Sequence, residues 1–574
     1  MRKFTADFET TTDVDDCRVW AYALSEIGNP DNFICGNCID DFIEWCKDPA
    51  HNYQLYFHNL KFDGSFIINW LLKNGFKWIK DKKDRDDNTF TTLITDTGVY
   101  YSITIYFTAH SKYNNKITIM DSLKILNFSV DKIAKDFNLP IRKLSLDYDA
   151  FREKGHQLTE EEIAYIRNDV EIMSRALNIM FSQDLTKMTI GSDALNDYKS
   201  TVSNFNHYFP VLDFQIDQDI RKGYKGGFTY LNPKYVGKET TEGYVLDKNS
   251  MYPSKMKSCR LPIGEPIYFD DKYEKDPLYD LYIQRLSCTF KLKSNKIPSI
   301  QVKNNPSFRV NEYIESTNGD VVTLTLCSPD LELFFENYDV ENLVYQGGWK
   351  FKSAKGLFNN YIDKWTAAKI KAKKDGNGAL YAIAKLMLNS LYGKFGLNPI
   401  SRTKQPVLDA TGVLKFKLNP LETRKPIYIP VAEFITAYAR KDIIESSQKI
   451  RDYSLKKYGF DAYIYSDTDS IHCLLSKSDI IESGLDIDDY KLGAWKIESR
   501  FTKAKFLRQK CYIEQEDELK VTVAGLPKYL SYLIDFDNFN TGFTTEGLNI
   551  DKRKLRYKQT TGGVVLIDTD FTIK

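Results

Sequence analysis

The hexapeptide Tyr465-Ser466-Asp467-Thr468-Asp469-Ser470 places two carboxylates at i and i+2. Apolar residues 462–465 precede it and 471–475 follow it, so the run reads as strand on both sides. Side chains alternate along a strand, which would put Asp467 and Asp469 on one face. Two such carboxylates repel unless a cation lies between them, and oxygen-only clusters suit Mg²⁺. Asp-Thr-Asp is also a common turn, the tip of a solvated hairpin.

Residues 243–253 add to this set. They read as a strand ending on Asp247, then a turn and a helix start. Asp247 can supply a carboxylate to a cation held by Asp469, and the amides after it can meet phosphate oxygens. Tyr252 is placed to pack beneath a sugar ring and exclude a 2′-hydroxyl; a plain core tyrosine is the alternative. In the helical pattern of residues 384–393, Lys385, Asn389 and Tyr392 form one stripe. A lysine there suits a triphosphate, and a tyrosine can stack on a base or sugar. Lys510-Cys511-Tyr512 follows a stretch read as basic helix and could hold a primer backbone. Tyr224-Lys225-Gly226-Gly227 offers glycines for close approach to a phosphate.

A second acidic group lies near the N-terminus. Asp7 and Glu9 share one face of a first strand, a costly arrangement in a core without a cation. Asp63 follows a short apolar strand and opens a helix, where capping is the simpler role. Tyr165 and Asp169 stand four apart on another helix, on one face. Four carboxylates and a phenol are what two-metal phosphodiester hydrolysis needs; a strand end in solvent and a surface hydrogen bond are the plainer readings.

The elements that must position these groups belong to a chain of 574 residues, too long for one core and long enough for about 3–5 domains. Aromatic residues make up 14%, and the net charge is only +1. Basic residues are nonetheless concentrated in three runs, at 350–374, 500–510 and 552–558, which leaves room for a composite nucleic-acid channel. Nine scattered cysteines read as reduced thiols, with zinc at Cys35 and Cys38 as the alternative. The N-terminus has no apolar signal region, and no apolar run is long enough to span a membrane.

In order, Asp-x-Glu, Asn-x-x-x-Asp, Tyr-x-x-x-Asp, Tyr-x-Gly-Gly, Asp-x-x-Ser-x-Tyr-Pro, Lys-x-x-x-Asn-Ser-x-Tyr-Gly, Tyr-x-Asp-Thr-Asp-Ser and Lys-x-Tyr resemble the motifs of family B DNA polymerases. Residues 16–22, 56–63, 385–395 and 562–566 bring the resemblance closer, to the protein-primed polymerases of small Bacillus-type phages, along essentially the whole chain. The resemblance implies an α/β, multidomain α+β architecture: an RNase H-like 3′–5′ exonuclease domain before a right-hand polymerase with two insertions. The implied divisions are exonuclease 1–189, palm 190–260 and 431–524, a terminal-protein-contacting insertion 261–359, fingers 360–395, a strand-displacement and processivity insertion 396–430, and thumb 525–574.

It implies that Asp7, Glu9, Asp63 and Asp169 hold exonuclease metals, with Tyr165 orienting water and Lys143 in the same step. Thr10, His58, Asn59, Phe62 and Ser122 would grip a frayed single strand, and Tyr224, Gly226, Gly227, Lys510 and Tyr512 would contact DNA. Asp247 and Asp469 would hold polymerising metals beside Asp467, and Tyr252, Lys385, Tyr392, Asn389 and Ser250 would meet the nucleotide. Two Mg²⁺ per site, replaceable by Mn²⁺, template and primer DNA, dNTPs, a terminal protein, a monomer and the cytoplasm of a bacterial host complete the expectation. Ser466 stands in place of a frequent cysteine, and Tyr381 in place of a nucleotide-facing lysine. The fingers loop 371–379 reads as long, and the connection 512–525 as short. The competing classes are a nuclease whose second half only binds DNA, a non-catalytic DNA scaffold, and an RNA polymerase or reverse transcriptase.

Overall fold

The structure is a computed structural model that describes residues 1–48, 53–109, 115–148, 150–301 and 310–574. Its N-terminal part is built on eight strands in the order Asn29–Gly36, Val19–Glu26, Arg2–Thr10, Tyr53–Phe57, Asn115–Asp121, Tyr100–Thr108, Thr89–Ile94 and Lys77–Trp78. Arg2–Thr10 lies inside the sheet, antiparallel to Val19–Glu26 and parallel to Tyr53–Phe57. That interior position explains its apolar residues, since Phe4, Ala6 and Phe8 are all buried. The helix Glu160–Ser182 packs against this part of the sheet. Thr159 and Glu162 close its N-terminus as a reciprocal capping box. A stripe including Tyr165, Ile166, Asp169, Val170, Ile172 and Met173 is buried along its length. The helix Asp63–Lys73 buries Phe66, Ile67, Ile68 and Leu71 in the main N-terminal core.

The second centre is a five-stranded antiparallel sheet ordered Trp495–Phe501, Gly243–Lys248, Ser470–Cys473, Tyr463–Asp467, Thr229–Leu231. The helices Ile429–Tyr458 and Met251–Ser258 pack on each other behind it. The paired carboxylates do not lie on one continuous strand, as the alternation predicted. Asp467 ends one strand, Ser470 begins the next and pairs with it, and Thr468 takes φ 58°. Asp467 and Asp469 therefore sit at a hairpin tip, the turn that Asp-Thr-Asp favours.

One further expectation is corrected. The basic stretch before Lys510 is strand, Trp495–Phe501 and Lys503–Arg508, because its apolar residues alternate and pair across ladders. The fingers segment 371–379, read as long, is mostly helical: Asn359–Lys374 and Gly378–Ser390 leave only Asp375 to Asn377 between them. Gly378 is required there, since a Cβ would stand 2.0 Å from the Asp136 carbonyl. The connection 512–525 is a tight hairpin, Cys511–Gln515 against Leu519–Val523.

Between Met251–Ser258 and the helical pair, a four-stranded sheet (Arg260–Phe269, Tyr338–Lys355, Leu281–Leu292, Val322–Cys327) carries the helix Ser328–Asn337. Arg440, 2% exposed on Ile429–Tyr458, ties this unit to the second centre. Its Nε and Nη2 donate to Asp330, and its Nη1 donates to the carbonyls of Lys225 and Gly226, both at 2.8 Å. Two arms return to the N-terminal part. The hairpin Lys404–Leu408/Leu414–Leu418 and the C-terminal hairpin Lys554–Gln559/Val564–Thr569 place Leu414 and Val564 in the same core as Phe66 and Leu71. All nine cysteines are free thiols. Among the described residues no helix is long and apolar enough to cross a membrane.

Candidate active sites

Antiparallel register brings Asp247 directly opposite Ser470 on one side and Lys496 on the other. The backbone N–H of Lys248 donates to the Asp469 carbonyl at 2.7 Å, locking the hairpin tip to the Asp247 strand. Burial first, then the charge of Asp247, raises Asp469 to about 6. Lys496 Nζ lies 3.0 Å from Asp247 Oδ2, so a cation already stands against Asp247. Asp467 is engaged differently: its Oδ1 accepts from Thr229 and Thr468 and faces Lys510 Nζ at 3.4 Å. Asp467 thus fixes the Lys510 turn.

Asp247 and Asp469 open onto a cavity of about 320 Å³ lined by Ser250, Tyr252, Lys369, Tyr381, Lys385, Asn389, Tyr392 and Lys496. The stripe of Lys385, Asn389 and Tyr392 is brought together as its spacing predicted. Tyr252 and Tyr392 stack with centroids 4.0 Å apart. Gly227 lies under them, where a Cβ would meet Thr468 and Tyr252 Oη at 3.0 Å; a Cβ on Gly226 would meet open space. Tyr224 packs over Gly396, and Tyr512 stacks on Phe506 behind Tyr465.

At the N-terminal site, Asp7 and Glu9 come from Arg2–Thr10, Asp63 from the first turn of its helix, and Tyr165 and Asp169 from Glu160–Ser182. Asp63 does not cap its helix. Burial first, then Asp169, pushes Asp7 up to about 7; burial and Asp7 push Glu9 and Asp63 well above the usual carboxylate range. Lys143 Nζ donates to Asp169 Oδ2 at 2.6 Å. Burial pulls Lys143 down, but Asp169 outweighs it and the ammonium is held above its ordinary value. Tyr165 and Tyr148 share a 2.5 Å hydroxyl contact.

Two buried oxygens, Asp63 Oδ1 and Asp169 Oδ1, have no hydrogen-bond partner among the described residues. Orphaned, mutually repelling oxygens are the donors a hard divalent cation takes. Among the described residues no three His, Cys, Asp or Glu side chains form a ready-made cage. The donor chemistry suits such an ion at both centres: four carboxylates on three elements here, and Asp247 with Asp469 in the second.

Of the residues expected to grip a single strand, Thr10 ends its strand half-buried, and Asn59, at φ 74°, is held by Asp121 Oδ1 accepting its N–H. Phe62 and Asn59 meet Tyr557 of the C-terminal hairpin. Ser122 is wholly buried, donates to the Phe57 carbonyl and contacts His58, whose other nitrogen faces the Phe128 carbonyl. Ser122 and His58 therefore shape this loop from inside. Tyr148, Lys496 and Tyr557 were missed by sequence reasoning, and Lys369 was read only as part of the basic run 350–374. Only a strand register, invisible in a single sequence, pairs Lys496 with Asp247.

Two acidic centres thus lie on separate sheets, and one of them faces a cavity walled by lysines and tyrosines. The family described as DNA polymerase type B, organellar and viral, matches residues 49–155 and 151–483. The chain is 46% identical to the DNA polymerase of Bacillus phage Nf over 595 aligned positions, covering 100% of both. It is 43% identical to that of Bacillus phage phi29, covering 100% of this chain and 99% of the other. The solved complex of Phi29 DNA polymerase with primer-template DNA and incoming nucleotide substrates superposes with TM-score 0.91 at 43% identity over 100% of both chains. The chain belongs to the type B DNA polymerases of organelles and viruses, and it is a DNA polymerase.

Proposed function

We propose that this chain is a replicative, protein-primed polymerase with 3′–5′ proofreading and strand displacement, working as a monomer in the cytoplasm of a bacterial host. The observation that carries this reading is the pairing of Asp247 and Asp469 at the mouth of the Lys385–Tyr252–Tyr392 cavity. Family membership implies divalent ions, and Mg²⁺, with Mn²⁺ as substitute, suits oxygen-only ligands. Two such ions at each centre would lower the pKa of the attacking hydroxyl and neutralise the leaving oxygen.

Every other part belongs to the chain. Asp247 and Asp469 hold the polymerising centre, and the Lys510 turn fixed by Asp467 binds primer backbone with Tyr512. Tyr252 and Tyr392 carry the sugar and base of a dNTP, Lys385 meets its phosphates, and Ser250 and Asn389 border them. Tyr224, Gly226 and Gly227 bring backbone close to the template. Asp7, Glu9, Asp63 and Asp169 hold the degrading centre; Lys143 fixes Asp169, and Tyr165 with Tyr148 orients water. Thr10, Asn59 and Phe62 grip the frayed strand over the loop shaped by His58 and Ser122.

Residues 1–189 would form the exonuclease, 190–260 and 431–524 the palm, 360–395 the fingers and 525–574 the thumb. Residues 261–359 would meet the terminal protein, and 396–430 would close on template and part the duplex.

Separation of function tests the two-centre reading. Asp469→Ala abolishes labelled dNTP incorporation and leaves degradation of single strands; Asp7→Ala with Glu9→Ala does the reverse. Loss of both activities from either change sinks it. Label transferred from dNTP to a terminal protein, on a template without oligonucleotide, tests protein priming.

A further inference from the structure

Lys496 is the cation nearest the polymerising carboxylates, and none of the roles above uses it. It lies directly across the ladder from Asp247, and neighbours in such a pair have Cβ atoms about 4.5–5.5 Å apart. Its ammonium meets Asp247 Oδ2 at 3.0 Å and Glu498 Oε1 at 4.0 Å. It also lines the cavity that Lys369 and Lys385 line from the helices Asn359–Lys374 and Gly378–Ser390. The charges bearing on Lys369 include Lys385 and Lys496, so three ammonium groups converge on one space. That space has two carboxylates on its wall, Asp247 and Asp469. One turn before Lys385, Tyr381 brings a phenol to the same wall. Three clustered ammonium groups destabilise one another unless a polyanion lies between them.

We propose that Lys496 is a ligand of the β- and γ-phosphates of the incoming nucleotide, a palm-side partner to Lys369 and Lys385. This rests on the polymerising-site reading above. While the site is empty the ammonium neutralises Asp247. A divalent cation held by Asp247 would displace the ammonium by like charge, and a triphosphate in the same cavity would compete with Glu498 for it. A four-carbon stem with a rotatable head suits the exchange.

The test uses the full-length protein on a dideoxy-terminated primer–template with Mg²⁺ and the cognate dNTP, so that binding is read without turnover. Lys496→Ala should weaken dNTP binding about tenfold, the worth of one charge-assisted hydrogen bond. Lys496→Arg should restore most of it. Primer–template affinity and single-strand degradation should stay at wild-type levels, which also shows that the variants fold. Unchanged or tighter dNTP binding by Lys496→Ala overturns the proposal, as does equal loss in Lys496→Ala and Lys496→Arg. If the wild-type complex binds no dNTP, the polymerising-site reading fails instead.

Discussion

Asp7, Glu9 and Asp63 lie in one low-dielectric space, and their raised pKa values measure the cost of keeping them there. An acid whose folded pKa lies above its unfolded value costs stability above that unfolded value, and the cost is relieved as pH falls through the folded pKa. In chelator, lowering pH from about 8 to 6 should therefore stabilise the protein through Asp7 by about 1 kcal/mol. Asp469, raised to about 6, adds in the same direction, whereas buried His58, held below its ordinary value, opposes it. Glu162, held at about 2 against the pull of burial by the Thr159 backbone, His156 and Arg152, titrates outside this window. The difference between wild type and Asp7→Asn isolates the site: melting temperatures in chelator should converge on acidification. Mg²⁺ should reverse the order, raising the wild-type melting temperature more at high pH than at low, because it competes with the proton. Parallel melting curves for the two proteins would show that Asp7 does not titrate in this space.

At the scale of elements, single-sequence patterns were readable where they are local. Alternation located Arg2–Thr10, and the four-residue spacing of Tyr165 and Asp169 located their helix. Alternation failed at residues 467–470, where the hairpin tip offered as the alternative is the one formed, with Thr468 at positive φ. The reading also failed at residues 500–508, where lysines alternating with apolar residues were taken for helix. The Asp247–Lys496 pair and the Arg440 network join residues far apart in sequence, and no local pattern encodes them. Arg440 is the sharpest case. Its guanidinium links Asp330 of one helix to the carbonyls of the loop carrying Gly226 and Gly227. Asp330→Ala would leave that guanidinium buried without its counter-charge, a loss of about 3–5 kcal/mol. Replacing Arg440 and Asp330 together by Met and Leu should recover most of the melting temperature while leaving the loop untethered. The double variant should then bind primer–template more weakly than wild type. Wild-type DNA binding in that stable variant would show that the tether serves stability alone.

Across the whole molecule, the C-terminal hairpin returns to the N-terminal core. Phe571 and Ile573 pack with Leu507, Cys511 and Ile513 beside the second sheet, while the hairpin just before them reaches the N-terminal core through Val564. Its turn fits so closely that a Cβ on Gly562 would lie 1.7 Å from the Cys17 carbonyl, and one on Gly563 would lie 2.4 Å from the Phe66 ring. Asn59 donates to Tyr557 Oη at 3.1 Å across the same junction. The hairpin is therefore a strap joining the two centres, and releasing it should change how long DNA is held and not how bonds are made. Gly562→Val cannot be accommodated without backbone movement, since rigid backbone stands in the way. It should expose the strap to proteolysis between the two hairpin strands. On a long primed single-stranded template with a DNA trap, products should shorten severalfold, while incorporation of a single nucleotide stays at the wild-type rate. Shortened products together with slowed single-nucleotide incorporation would mean that the strap also sets the geometry of the second centre. Full-length products from a variant shown by proteolysis to be open would remove the strap from DNA retention altogether.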